Sequence, residues 1–284
     1  MSEGILSIQS AVAYGHVGNS AAVFPLQRLG FEVWPVNTVL FSNHTGYGVW
    51  RGRPVAIELI REVLQGVEER GAFARTRALV TGYLGSPELG EAIVETLDKV
   101  REARPGAVYA CDPVMGDVGR GFFVRPGIPE LFRDRIVPLA DLITPNQFEL
   151  AWLAGEEIRN VADACRAAAA VRARGPRLVV ATSVMDVERP GELAVVADTE
   201  EGSWAVRTPH LDVALNGTGD VFTALLLGHR LLTGDVATAL GNAVSAMFSL
   251  VEATFEARSR ELVLIAAQDQ LVRPRRRFAA ERVR

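Results

Sequence analysis

Short apolar runs of strand type alternate along the chain with stretches in which apolar residues recur every three or four positions. Ile5–Ser10 predicts a first strand, and Ser20–Leu29 a helix stopped by Gly30. Glu32–Asn37 predicts a second strand. Helical spacing at Ile57, Ile60, Leu64 and Val67 marks Pro54–Gly71. Ala78–Thr81 is a buried strand, and Pro87–Ala103 a helix ahead of Pro105. Further strands are expected at Ala107–Cys111, Asp141–Thr144 and Leu178–Thr182, with an Ala-rich helix at Ala162–Arg174. Leu193–Ala197 and Ser203–Arg207 can pair as a hairpin across Asp198–Gly202. Two long helices, Thr218–Leu232 and Val236–Glu256, complete the pattern.

Such alternation predicts an α/β fold, a mostly parallel central sheet with helices on both faces. No repeat, low-complexity block or linker divides the chain, so residues 1–284 are expected to form one domain. In sheets of this kind ligands bind beyond the carboxyl ends of the strands, and chemistry is to be sought in those loops.

Composition narrows the chemistry. The 284 residues are 49% hydrophobic and 23% charged, ordinary for a soluble enzyme with a sizeable core. A net charge of −4 argues against a nucleic-acid partner. Of the 30 basic residues only Lys99 is a lysine. No Walker-A loop can be built without a lysine after its glycines, and no protein-kinase ATP lysine is present. Cys111 and Cys165 form neither a disulfide framework nor a metal cluster, which fits a reduced, cytoplasmic setting. The N-terminus lacks signal-peptide character, and no uninterrupted apolar run is long enough to predict a membrane span. The Arg-rich residues 273–284 read as a frayed, mobile basic tail.

Four loops at predicted strand ends carry candidate chemistry. Asn216-Gly217-Thr218-Gly219-Asp220 opens an apolar helix, so its amides and the helix dipole make an anion site. Asp220 would repel a bound phosphate unless it serves as proton acceptor for an attacking hydroxyl. Asp112 and Asp117 lie five residues apart in DPVMGD and could hold Mg²⁺, while the glycines of 116–127 could let that segment close as a lid. In Thr144-Pro145-Asn146-Gln147-Phe148-Glu149, Thr144 could cap the next helix and Glu149 could face the cleft of Asp112. The loop from Phe41 to Tyr47 is rich in rings, donors and acceptors, and Ser10 ends the first strand at the same edge. Together they describe phosphoryl transfer from a metal–nucleotide to a small hydroxyl compound.

The segments IQSAVAYGHVGNSAA, VNTVLFSNHTGYG, TGYLGS, CDPVMGD, PLADLITPNQFE, NGTGD and AAQDQ, in this order, resemble the pyridoxal kinases of the ribokinase-like superfamily. The resemblance covers nearly the whole chain. It implies ATP-dependent phosphorylation of the 5′-hydroxymethyl group of pyridoxal, with Asp220 as base and Gly217, Thr218 and Gly219 as anion hole. It implies substrate contacts from Ser10, Thr45, Gly46 and Tyr83. Nucleotide contacts are implied for Asp112, Thr144, Glu149, Thr182, Thr208, Pro209, His210 and Leu211, and metal contacts for Asp112, Asp117 and Glu149. Mg²⁺ with ATP, a monovalent cation such as K⁺, and a homodimer are further implications. Some relatives carry lysine where this chain has Thr182, so the positive charge at the site must come from cations and the helix end. A hydroxymethylpyrimidine kinase, acting on a similar flat heterocycle, or a pyridoxine kinase of the same fold, and a non-catalytic vitamin B6-binding protein are the alternatives.

Overall fold

A computed structural model describes residues 3–284. In chain order the elements are β1 (Gly4–Val12), α1 (Asn19–Arg28), β2 (Glu32–Phe41), β3 (Gly52–Pro54), α2 (Ile57–Glu69), β4 (Thr76–Thr81) and α3 (Pro87–Ala103). Then come β5 (Val108–Cys111), β6 (Gly116–Asp117), β7 (Gly121–Phe122), α4 (Ile128–Leu131), β8 (Leu142–Ile143), α5 (Gln147–Ala154) and α6 (Val161–Arg172). The last are β9 (Leu178–Met185), β10 (Glu192–Thr199), β11 (Gly202–Pro209), α7 (Thr218–Thr233), α8 (Val236–Glu256) and β12 (Glu281–Arg282).

Ten strands form one sheet in the order β12-β11-β10-β9-β8-β5-β4-β1-β2-β3. The six from β9 to β2 run parallel, and antiparallel strands flank them on either side. The interior strands are short apolar runs because both faces are covered. Ile60, Leu64, Leu89, Ile93, Leu150 and Ala168, from α2, α3, α5 and α6, pack one face. Leu26, Leu225, Leu240 and Leu250, from α1, α7 and α8, pack the other. By length and composition α8 could cross a bilayer, but Ala243, Val244, Ala246 and Leu250 are buried in that second core.

The structure departs from the sequence pattern at the margins. β2 runs on to Phe41 because Asn37 and Thr38 do not break it: Asn37 Oδ1 accepts from Asn19 Nδ2 at 2.8 Å, and Thr38 is buried. The hairpin turn shrinks to Glu200-Glu201, since Thr199 already pairs with Gly202. The largest difference lies in residues 273–284, which are docked rather than frayed. Phe278 packs edge-on against Phe248 of α8 with centroids 5.1 Å apart, and its N–H donates to Ser245 Oγ at 2.9 Å. Beyond it β12 pairs antiparallel with the otherwise open edge of β11, opposing Trp204 with Arg282. An unpaired edge and an aromatic anchor outweigh the charge of this segment.

Candidate active site

The site is built where the parallel strands end. Each strand hands its last backbone groups to the next: Asp112 N–H donates to Thr81 O, Thr144 N–H to Cys111 O and Thr182 N–H to Pro145 O. Across this edge lies the start of α7. Gly217 is its N-cap at φ 80°, a left-handed conformation that a side chain resists, and a Cβ there would overlap the His16 carbonyl oxygen. No side chain caps this end, so the first-turn amides of α7 are available to an anion.

Asp220 lies in that first turn. Burial pushes its carboxyl up to about 6, against a backbone hydrogen bond from Gly18 that lowers it. Its Oδ1 stands 3.6 Å from where a Cβ on Gly82 would be, placing it just beyond the end of β4. Gly18 in turn lies against Ser10, whose Oγ would be 2.5 Å from a Cβ at that glycine. The short helical turn Thr45–Tyr47 closes the same corner, with Gly46 facing Asn216. Ser10 and Asp220 thus meet around Gly18, with the Thr45–Tyr47 turn against Asn216 and Tyr83 one residue beyond Gly82. His44 is the cap of that turn, accepting from Gly46 N–H through Nδ1 at 3.0 Å.

The neighbouring corner is acidic. Asp112 follows β5, and its Oδ2 would lie 3.0 Å from a Cβ on Gly219, directly before the helix end. Burial first, then Glu149 and Asp220, hold its carboxyl well above the usual carboxylate range. Glu149 is raised to about 7, chiefly by burial, although three backbone amides oppose the shift. Those amides occupy both its oxygens: Oε1 accepts from Met115 at 2.8 Å and Gly116 at 3.4 Å, and Oε2 from Asn146 at 2.8 Å. Asn146 accepts from Glu149 N–H in return, closing a capping box on α5. The cap is therefore Asn146 and not Thr144, whose hydroxyl instead meets Thr223 Oγ1 of α7 at 2.6 Å. Asp117 lies in the β6–β7 hairpin, exposed, with Oδ1 taken by Val118 N–H, and its charge adds to the upward shift of Glu149.

These donors fit a hard divalent cation held loosely. Asp112 accepts no side-chain hydrogen bond among the described residues, and three carboxylates crowd one another without a basic partner. No three His, Cys, Asp or Glu groups among the described residues form a ready ligand set. The buried Asp112 carboxylate, free of protein donors among the described residues, suits Mg²⁺, which keeps its waters and takes one or two carboxylates plus substrate phosphates.

On the far side, β9 carries a bulge: Ala194 pairs with Val184 but Val196 with Ala181. Ser183 sits in it at φ 57°, strained for a non-glycine residue, and Thr182 beside it bridges to Asn146. Thr208 is buried at the end of β11, two strands across, while Pro209 and His210 are exposed. His210 N–H is tied to Gly191 O, and Leu211 is half-buried. Over the cleft, Arg120 in the β6–β7 hairpin stacks on Phe123. His44 is held below its ordinary value by burial and then by the Arg120 charge.

A family model described as phosphomethylpyrimidine kinase matches residues 27–262. A pyridoxal kinase (PdxY) of Rubrobacter xylanophilus is 53% identical over 289 residues, spanning 100% of both chains. One from Corynebacterium diphtheriae is 50% identical, covering 98% of this chain and 99% of that one. The chain belongs to the pyridoxal kinase family. A solved pyridoxal kinase of that family, from Leishmania donovani in complex with ADP and pyridoxamine, superposes with a TM-score of 0.93 at 32% identity over 100% of each chain.

Several residues of this pyridoxal kinase fold help shape the site although the sequence alone singles out none of them for a role. Gln9, buried behind Gly82, belongs to a polar network in which Ser7 donates to Asn19 and Gln9 donates to Ser7. Gly18 and His16 act through backbone contacts. Glu261 follows α8, far along the chain from its partners His16 and Tyr47.

Proposed function

We propose that this protein phosphorylates the 5′-hydroxymethyl group of pyridoxal with ATP, forming pyridoxal 5′-phosphate. The observation that carries this reading is Asp220. It is a desolvated carboxylate at an uncapped helix N-terminus, in a chain half identical to pyridoxal kinases along its whole length.

In this reading the pyridine ring lies in the corner of Ser10, Thr45, Gly46 and Tyr83, with its hydroxymethyl arm toward Asp220. Asp220 accepts the hydroxyl proton, late in a loose transition state because a primary alcohol is a poor acid. The amides of Gly217, Thr218 and Gly219 meet the charge on the transferring phosphoryl group. Nucleotide phosphates lie toward Asp112, Thr144 and Thr182, and the nucleoside toward Thr208, Pro209, His210 and Leu211. Mg²⁺ bound with ATP would neutralise phosphate charge, held by Asp112 and, through water, by Glu149, with Asp117 as an outer acidic group. A monovalent ion such as K⁺ and a cytoplasmic location belong to the same proposal. So does a homodimer, for which the exposed apolar side chains Leu40, Val49 and Trp50 beside the β3 edge offer a surface.

The test is an ATP/Mg²⁺ assay on pyridoxal, pyridoxine and hydroxymethylpyrimidine, with product identified by mass. Pyridoxal is expected to give the highest kcat/KM. Preference for hydroxymethylpyrimidine would make the protein a hydroxymethylpyrimidine kinase of the same fold instead. Pyridoxal binding in a calorimeter without product would make it a binding protein.

A further inference from the structure

Glu261 lies outside every motif discussed above, yet it joins the two turns that border the pyridoxal corner. Its Oε1 accepts from Tyr47 Oη at 2.5 Å and its Oε2 from His16 N–H at 3.1 Å. The same carboxylate presses on Gly15, where a Cβ would lie 2.5 Å from Oε2. The hydrogen bond to Glu261 is the main reason the Tyr47 hydroxyl is pushed up to about 12, so it stays a donor. Arg260 stacks over the Tyr47 ring at 5.1 Å, and Tyr14 meets it edge-on.

Each turn so held does work in the site. Tyr47 ends the Thr45–Tyr47 turn. His16 lies against Gly217, and Gly18, two residues on, donates to Asp220. Glu261 itself stands on rigid support. The chain reverses after α8 at Arg258, φ 50°, Ser259 Oγ braces Glu261 from both sides, and Leu262 and Leu264 are buried in the core. Two charge-assisted hydrogen bonds from one anchored carboxylate fix geometry better than two mobile surface turns would alone.

We propose that Glu261 is a positioning residue for pyridoxal, holding the 14–18 and 44–48 turns in register so that the ring corner exists before substrate arrives. This rests on the pyridoxal kinase reading, and the wild-type assay tests that reading separately. The experiment compares wild type, Glu261→Ala, Glu261→Gln, Tyr47→Phe and the Glu261→Ala/Tyr47→Phe double variant by pyridoxal titration in a calorimeter without nucleotide, and by steady-state kinetics. Glu261→Ala should weaken pyridoxal binding and raise its KM about tenfold, with the KM for ATP within about twofold. Glu261→Gln, whose amide can still accept one hydrogen bond and donate another, should recover most of that loss. Tyr47→Phe should show a smaller loss and add little on top of Glu261→Ala, because the two share one contact. Equal changes in both KM values, or folded Glu261→Ala and Tyr47→Phe proteins that bind pyridoxal like wild type, would overturn the proposal. Absence of pyridoxal binding in the wild type would instead overturn the functional reading.

Discussion

The two corners of the cleft are built in opposite ways. The corner around Ser10, Thr45, Gly46 and Tyr83 is tied by protein groups alone: the Ser7–Gln9–Asn19 network beneath it and Glu261 beside it. The corner around Asp112 is left electrically incomplete. Its carboxylates repel one another, Glu149 spends its oxygens on backbone amides, and no basic side chain pairs with Asp112 or Asp220 among the described residues. A chain with a single lysine can support phosphoryl transfer on these terms, because the missing positive charge arrives with the metal–nucleotide. In the proposed reading the first corner recognises pyridoxal by shape, and the second is completed by the metal–nucleotide.

The contrast can be broken at graded points. The largest effect is expected from Asp220→Ala, which should lower turnover by about 10² to 10⁴ while leaving ATP affinity nearly unchanged, read by single-turnover kinetics and nucleotide binding. Lost ATP binding with intact turnover per bound complex would remove Asp220 from the chemistry. Gly217→Ala should cost about 10² in turnover, since the left-handed φ and the His16 carbonyl both oppose a Cβ and the helix end must shift. Acid should act through Asp220, raised to about 6: kcat/KM falls about fivefold from pH 6 to pH 5 as the base is protonated. For stability the sign is opposite. The folded state binds this proton more tightly than the unfolded chain, so the site's contribution is present at low pH and lost as pH rises from about 4 through about 6. Thermal melts without metal should show that loss, and Mg²⁺ with nucleotide should offset it most above that window. The smallest effect is expected far from the cleft: Phe278→Ala should cost about 1–2 kcal/mol in a denaturant melt by releasing the docked C-terminal segment from α8.

Much of this was legible from the chain. The parallel-sheet class follows from the alternation of short apolar runs with helical spacing, and α8 from Val236 to Glu256 matches its predicted bounds. Elements held by partners rather than by their own pattern were not legible. The two-residue strands β6 and β7 have no periodicity to read, and β12 exists because β11 offers an open edge. In the site, the residues whose side chains lie beyond strand ends, Asp112, Glu149 and Asp220, could be located in advance. Those that act through backbone or from afar, Gly18, His16 and Glu261, could not, because only the folded chain brings residue 261 to residue 16. Thr144 shows the converse, a residue in the right loop whose hydroxyl the fold turns toward Thr223.

The central claim is that an acidic corner completed by a metal–nucleotide serves a protein-built pyridoxal corner. It is tested most directly by following pyridoxal 5′-phosphate formation from pyridoxal and ATP while Mg²⁺ is titrated out with a chelator. The account predicts product formation that collapses as Mg²⁺ is withdrawn, while pyridoxal binding measured without nucleotide is unchanged. Turnover indifferent to Mg²⁺, or pyridoxal binding that disappears with the metal, would contradict it.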